Sequence, residues 1–221
     1  MSKVVHPFAH RLGVLRDWRV RWFASGPAYR ENLKADVLLR EFLLKELRGM
    51  YIGGLEIERG KNLRVIVKTS RPGIIIGRSG EGSQKIKKSI ETFLRKKGLP
   101  VPEIKLDIEE IRTPEANAAI VAYMVAEGLE KRLAFRRVLK QTVEKVMANR
   151  DVKGVRIVVS GMLGGGSMSR TESLKKGRVP LQTIRADVDF ARERANLPLG
   201  VIGVKVWIYK GDIFSKTTDR K

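Results

Sequence analysis

The chain has 221 residues, of which 43% are hydrophobic and 31% charged, so it is globular and long enough for one large or two small cores. Its 45 Lys and Arg against 24 Asp and Glu leave a formal net charge of +21, a surplus that repels itself and calls for a polyanionic partner. With no cysteine there are no disulfides, thiolate metal sites or cysteine nucleophiles, and two histidines leave most hydrolase and metalloenzyme designs without their parts.

The first thirty residues read as a basic arm, with Lys3, Arg11, Arg16, Arg19, Arg21 and Arg30 opposed only by Asp17. Phe8, Trp18, Trp22, Phe23 and Tyr29 are interleaved with those charges. Such a mixture either grips phosphates while its rings stack on bases, or is a solvated arm whose rings dock on its own domain. His6, Pro7, His10 and Arg11 stand where a signal peptide would carry its apolar core, so a mature cytoplasmic protein is expected. His6 and His10 do not suggest a metal pair, because Pro7 interrupts the helical spacing and no third ligand is near.

Ala35 to Leu47 has Val37, Leu38, Phe42, Leu43 and Leu47 at helical spacing, with Asp36 near the start and Lys45 and Arg48 near the end, as a helix dipole favours. A hairpin follows: Leu55 to Glu58 alternates, Arg59-Gly60-Lys61-Asn62 supplies the turn, and Leu63 to Val67 is rich in β-formers. Pro72 to Ile76 opens a short helix, Gly77-Arg78-Ser79-Gly80 intervenes, and Glu81 to Lys97 forms a second helix with Ile86, Ile90, Phe93 and Leu94 as its core stripe. Ile104 to Ile108 alternates as a strand.

The glycine loop carries the chemistry here. Two glycines three apart let a sugar-phosphate chain approach the backbone without obstruction by a Cβ. The next helix offers its N-terminal N–H groups, Arg78 adds charge, and Ile74, Ile75 and Ile76 make an apolar floor for bases. In this order of elements Gly77, Arg78, Ser79 and Gly80 match the Gly-x-x-Gly loop of a K-homology domain, which clamps single-stranded nucleic acid. The spacing of Gly73, Gly77, Gly80 and Gly82 does not supply a dinucleotide fingerprint, and the chain's second glycine loop, Gly161 to Ser167, lacks the lysine of a nucleotide P-loop.

Thr113-Pro114-Glu115 signals a helix start and places a boundary near residue 112. Ala116 to Glu127 reads as a buried helix. Its charge-free stretch, Ala116 to Ala126, is far short of the ~18 residues of a membrane span, and no membrane partner is expected. A longer helix runs from Leu129 to Asn149, with Gly128 marking the break between the two. On that helix Phe135, Val138, Leu139, Thr142 and Val146 share one face, and Arg136, Arg137 and Lys140 lie on the adjacent arc with Arg132 at its border, a track for phosphates. Charge on an exposed helix face is ordinary, but the net charge of +21 favours the functional reading.

Val155 to Val159, Arg185 to Phe190 and Val201 to Ile208 read as strands, and Arg170, Lys175, Lys176 and Arg178 follow the second glycine loop as further phosphate contacts. Asp187 and Asp189 share a strand face and are candidate Mg²⁺ ligands for a nuclease; ion pairing with Arg185 or other nearby cations is the preferred reading, because no further carboxylate completes a two-metal site. The domain reading is therefore an arm over 1–34, a nucleic-acid-binding domain over 35–112, an α+β domain over 113–210 and a polar tail over 211–221.

Several stretches in this order resemble the universal small-subunit ribosomal protein S-three family, bacterial type: His6-Pro7 with Arg11-Leu12-Gly13, Trp22-Phe23-Ala24, Arg71 to Glu81, Phe135-Arg136-Arg137, Ser160 to Gly165, Arg170-Thr171-Glu172, Gly177 to Leu181, Arg185 to Asp189 and Gly200 to Ile208. The chain departs from the family at Arg78-Ser79, where bacterial members often carry two basic residues, and at Met162, where arginine is common. The resemblance implies an α+β protein: a type II K-homology domain (α-β-β-α-α-β), then a C-terminal domain with two helices packed on a mainly antiparallel sheet. It implies a structural constituent of the small ribosomal subunit, without catalytic residues, metal or cofactor. Such a protein binds small-subunit rRNA, here through the loop residues Gly77 to Gly80 and through Lys3, Arg11, Arg16, Arg19, Arg21, Arg170, Lys175, Lys176 and Arg178. Arg132, Arg136, Arg137 and Lys140 are placed by it at the mRNA entry channel, holding and helping unwind mRNA during translation. Implied neighbours are ribosomal proteins S-ten, S-fourteen and S-two, with S-four and S-five near the mRNA. The alternative from the residues alone is a free-standing regulator of single-stranded RNA.

Overall fold

A computed structural model describes residues 5–60 and 62–213 of the chain, so Lys3, Lys61 and the tail from residue 214 onward lie outside the described residues. In chain order the elements are α1 (Pro7–His10), β1 (Val20–Arg21), α2 (Gly26–Glu46), β2 (Ile52–Arg59), β3 (Leu63–Thr69), α3 (Pro72–Ile76), α4 (Glu81–Lys96), β4 (Ile104–Glu110), α5 (Ala118–Glu130), α6 (Phe135–Ala148), β5 (Gly154–Gly161), β6 (Arg170–Gly177), β7 (Ala186–Leu197) and β8 (Gly200–Asp212). They sort into two compact units: residues 18–112 form one, and residues up to 17 join those from 113 onward in the other.

Within residues 18–112, the elements from α2 to β4 run α-β-β-α-α-β on a four-stranded mixed sheet ordered β1-β2-β3-β4. Alternation sends Leu55 and Ile57 of β2 and Leu63, Val65 and Val67 of β3 onto Leu39 and Leu43 of α2, Leu47 at its C-terminal end, and Ile86, Ile90 and Leu94 of α4. Each such buried side chain is worth about 1.5–3 kcal/mol relative to exposure. Phe42 and Phe93 stack with centroids 4.4 Å apart, tying α2 to α4.

Helix α2 begins at Gly26-Pro27, nine residues before the start that apolar spacing predicts. Its first turns are exposed, so periodicity has no buried stripe there to detect, whereas Pro27 at the first helical turn is the usable signal. Asp36 is therefore in mid-helix. Instead of complementing a dipole, it is buried, accepts a hydrogen bond from Trp22 Nε1 at 2.5 Å and pairs with the Arg59 guanidinium.

On the other face of this sheet Arg21 reaches Glu56 at 2.9 Å and Glu58 at 2.6 Å, and Lys68 reaches Glu56 at 2.8 Å. Burial alone would raise the Glu56 carboxyl, but hydrogen bonds from Lys68 and Arg21 outweigh it and hold the group below the usual carboxylate range. A depressed folded pKa contributes stability that is complete above the unfolded value, about 4.3, and is lost as the pH falls through the folded value. The urea midpoint of this unit is expected to drop as the pH falls below about 4.3, and by less in Glu56→Gln, which has no proton to take up there. An identical acid-induced drop in both proteins would refute the role of Glu56.

In the second unit β6-β5-β8-β7 form a four-stranded, wholly antiparallel sheet with α5 and α6 on one face. Asn117 caps α5 by accepting from Ala119 N at 2.9 Å and Ile120 N at 3.3 Å. Val121, Ala122, Val125, Val138, Leu139 and Val143 of the helices pack on Val155, Ile157, Val159, Val204, Val206 and Ile208 of the sheet.

The break between the two helices falls after Glu130, not at Gly128. Gly128 is inside α5, where a Cβ would meet Val138 at 3.1 Å, so it serves the close approach of α6. Arg132 takes the left-handed conformation that ends α5, at φ 59°. Arg132 N donates to Leu129 O at 2.9 Å and Leu133 N to Gly128 O at 3.2 Å, the two bonds of a Schellman cap. Glycine usually fills that position, and the arginine costs about 1 kcal/mol of backbone strain.

Candidate nucleic-acid interface

Two cationic surfaces stand out, one in each unit. In the first, Thr69 Oγ1 donates to Met50 O at 2.8 Å and accepts from Arg71 N at 3.1 Å, fixing the chain just before α3. The loop Gly77 to Gly80 then turns by left-handed residues, with φ of 70° at Gly77, 50° at Ser79 and 82° at Gly80. Arg78 is exposed at its tip, and Lys85 and Lys88 are exposed on α4. The three isoleucines do not act together as an apolar floor. Ile75 is in the core at 1% exposure, while Ile74 and Ile76 point outward at 52% and 40%. In a helix of five residues neighbours cannot share a face, so two of the three remain available to a base.

In the second unit the α5–α6 turn gathers Arg132, Arg136, Arg137 and Lys140, all exposed and none with a carboxylate partner among the described residues. Arg136 lies 5.5 Å from the centre of the Phe135 ring, and Arg170 arrives from β6 to lie 5.8 Å from the same ring. Arg170 is held there by a hydrogen bond to Leu163 O at 3.2 Å. Along the chain Arg170 groups with the strand cations; only the β5–β6 pairing, in which Arg170 lies opposite Gly161, brings it to this turn. A cleft of about 650 Å³ opens beside it, with Arg132 the charged residue on a wall otherwise made of apolar side chains, Pro198 and glycine.

The arm divides, and its cations have different fates. Arg11 is fully buried: Nε donates to Ala186 O at 2.6 Å, Nη1 to Pro7 O at 2.9 Å, and Nη2 to Thr183 O at 2.8 Å and Leu181 O at 3.1 Å. With its donors facing carbonyl oxygens it presents none to a phosphate, which corrects its reading as an rRNA contact. Desolvation by that burial lowers its pKa, with Asp187 pulling the other way. Arg16 pairs with Asp187 at 2.6 Å, and Arg21 with Glu56 and Glu58 as described. Arg19 is exposed. Lys3 lies outside the described residues.

Lys175, Lys176 and Arg178 are exposed, but strand alternation along β6 splits them: Arg170 and Lys176 lean to the helix side and Lys175 to the opposite face. Asp187 and Asp189 do not converge on one site. Asp189 accepts from Ala118 N at 2.9 Å at the start of α5, and Arg185 pairs with Asp212 at 3.1 Å.

Residues 38–116 match the family model for the KH domain, and residues 125–208 match the model for the C-terminal domain of ribosomal protein S3. The small ribosomal subunit protein uS3 of Caldicellulosiruptor saccharolyticus is 42% identical over 214 residues, covering 96% of this chain and 94% of that protein. The chain belongs to the ribosomal protein S3 family. The uS3 of Endomicrobium trichonymphae is 44% identical over 220 residues (98% and 91% of the two chains), and that of Photobacterium profundum 41% identical over 214 residues (96% and 90%). As an S3 family member the protein is a structural RNA-binding protein rather than an enzyme. Its fold is the one the family implies, a K-homology domain and an S3 C-terminal domain with an antiparallel sheet. Met162 forms part of the apolar cleft wall.

Proposed function

We propose that this chain, an RNA-binding constituent of the small ribosomal subunit in the cytoplasm, uses Arg132, Arg136, Arg137 and Lys140 to hold incoming mRNA at the entry channel and to help open its secondary structure. The observation that carries this reading is the run of exposed cations without carboxylate partners, among the described residues, at the α5–α6 turn. Lysine and arginine placed this way neutralise phosphates in any sequence, as a moving message requires. The strained backbone at Arg132 supports the same reading, since an arginine is kept where glycine would be more stable.

The Gly77–Gly80 loop, with exposed Ile74 and Ile76, is assigned to a single-stranded segment of RNA, and Arg19, Arg170, Lys175, Lys176 and Arg178 to rRNA phosphates. Arg16 and Arg21 contribute through their ion pairs to the seating of the arm. The neighbours in this reading are S-ten, S-fourteen and S-two, with S-four and S-five beside the message.

Neutralising Arg136, Arg137 and Lys140 together by glutamine is expected to slow translation through a stable hairpin severalfold while leaving an unstructured message nearly unaffected. Single-ribosome translation of paired templates measures this. Equal slowing on both templates would show that the three residues serve assembly rather than unwinding.

A further inference from the structure

Register across the C-terminal sheet collects a set of cations that the linear sequence disperses. Arg156 of β5 stands directly opposite Lys175 of β6 and Trp207 of β8, Lys205 of β8 stands opposite Arg192 of β7, and Arg194 opposite Gly203. Paired residues point to the same side of a sheet, so these five cations share the face turned away from α5 and α6. Two acids of the same strands go the other way: Glu172 pairs with Val159 and Glu193 with Val204, both core residues under the helices, while Asp212 lies at the far end of β8, opposite Ala186. From Phe190 to Asn196 and across the residues paired with them, this face carries no carboxylate.

Two of its cross-strand pairs, Arg156 with Lys175 and Arg192 with Lys205, are like charges facing each other. Such pairs destabilise a sheet unless an anion lies between them. Arg192 and Lys205 are exposed and have no ion-pair partner among the described residues. The aromatic residues of the face do not offer rings for base stacking. Trp207 is only 6% exposed, lying beneath the Arg156 guanidinium at 5.4 Å and against Phe190 at 5.0 Å. Single-stranded RNA is held by a groove with stacking rings, whereas double-helical RNA is recognised through shape and phosphates. Cations spaced ~5 Å across strands and ~7 Å along them form a two-dimensional lattice, suited to the two backbones of a duplex.

One end of this face is covered, with Val179 and Leu181 packed on Val188, Trp207 and Tyr209 and His6 on Phe190; the rest is open. We propose that this open part of the β6-β5-β8-β7 sheet binds double-helical RNA through its phosphates, with Arg192, Lys205, Lys175, Arg156 and Arg194 as the contacts. The proposal rests on the RNA-binding reading above and adds a site distinct from the glycine loop and the α5–α6 turn. The duplex is a helix of the rRNA, the resident double-stranded polyanion of a small-subunit protein.

The test uses the full chain, an RNA duplex of about 16 base pairs and an oligouridylate of about the same length, in a salt series read by fluorescence anisotropy. Arg192→Gln/Lys205→Gln is expected to weaken duplex binding about tenfold near physiological salt and to reduce the log-affinity versus log-salt slope by about 2, with oligouridylate affinity changed less than about twofold. The RNA-free variant is expected to melt no lower than the parent, because the removed charges repel each other. Unchanged duplex affinity and slope in the variant would overturn the proposal and leave the RNA-binding reading intact; a parent that binds neither RNA would overturn both. The absence of cysteine allows a single tether at Ser173→Cys for hydroxyl-radical cleavage in reconstituted subunits carrying a hairpin message. Cuts flanking an rRNA helix support the proposal, whereas cuts confined to the hairpin message, or cuts in neither, overturn it.

Discussion

Replacing Arg11 by methionine is expected to destabilise the unit formed by residues 5–17 and 113–213 by roughly 3–5 kcal/mol, the range seen when one partner of a buried charged network is removed. The guanidinium is the shared donor for carbonyl oxygens of Pro7, Leu181, Thr183 and Ala186, of which Thr183 O also accepts from Ala186 N at 3.2 Å. Arg11→Lys recovers only part of the loss, because an ammonium is a point donor and cannot serve oxygens spread around a planar fork. Hydrogen-exchange protection of the β7 and β8 amides measures the effect, since both strands lie in this unit. A change below about 1 kcal/mol would mean that water replaces the guanidinium, and a reduced salt slope for RNA binding in the folded variant would restore Arg11 as a phosphate contact.

The second large effect is expected at Gly82. A Cβ there would lie 2.4 Å from Ile75 O and 2.9 Å from Ile76 O, and both obstacles are backbone. Gly82→Ala must therefore separate α3 from the first turn of α4, at a cost near the upper end of over-packing, about 3 kcal/mol. The Gly77–Gly80 loop spans that junction, so its left-handed turn is displaced with it and binding to oligouridylate weakens as well. Gly73→Ala is the matched control, because nothing lies within 4 Å of a Cβ at that position in α3. It is expected to change stability by less than about 0.5 kcal/mol. Urea unfolding of the two variants side by side decides the matter: similar midpoints would show that α3 yields to the added methyl group without cost.

These effects bear on where function is placed. The Arg11 network seats the arm on the C-terminal sheet, and Gly82 positions the loop that meets RNA. Neither residue touches RNA in the proposed function. The residues that do, at the α5–α6 turn and on the open sheet face, are exposed, apart from half-buried Arg156, and energetically cheap to replace in the free protein. Mutations in the two groups therefore separate folding from binding, which a protein with so large a charge surplus would otherwise confound.

Much of this is legible in the residues themselves. The surplus of cations, the absence of cysteine and the ordered motifs point to RNA and to the S3 family. Periodicity locates α4 and the β2–β3 hairpin, because their apolar spacing is regular and their ends carry turn residues. Three features are not legible. The helix break sits at Arg132 because the cap geometry is made by backbone hydrogen bonds, and the glycine that suggests a break, Gly128, is used for packing instead. Arg11 looks like any other arm cation, since nothing local distinguishes a guanidinium that will be enclosed by carbonyls far along the chain, at Leu181, Thr183 and Ala186. The open-face cations are hidden because which residues of different strands stand side by side depends on register, and a shift of one residue would turn them all to the other face.

Composition and local pattern thus determined what this protein is for: charge balance and side-chain periodicity are properties of short stretches, and they survive without knowledge of the fold. Which cations are spent inside the molecule and which are offered outward was decided only by the tertiary structure, because burial and cross-strand pairing join residues that are distant along the chain.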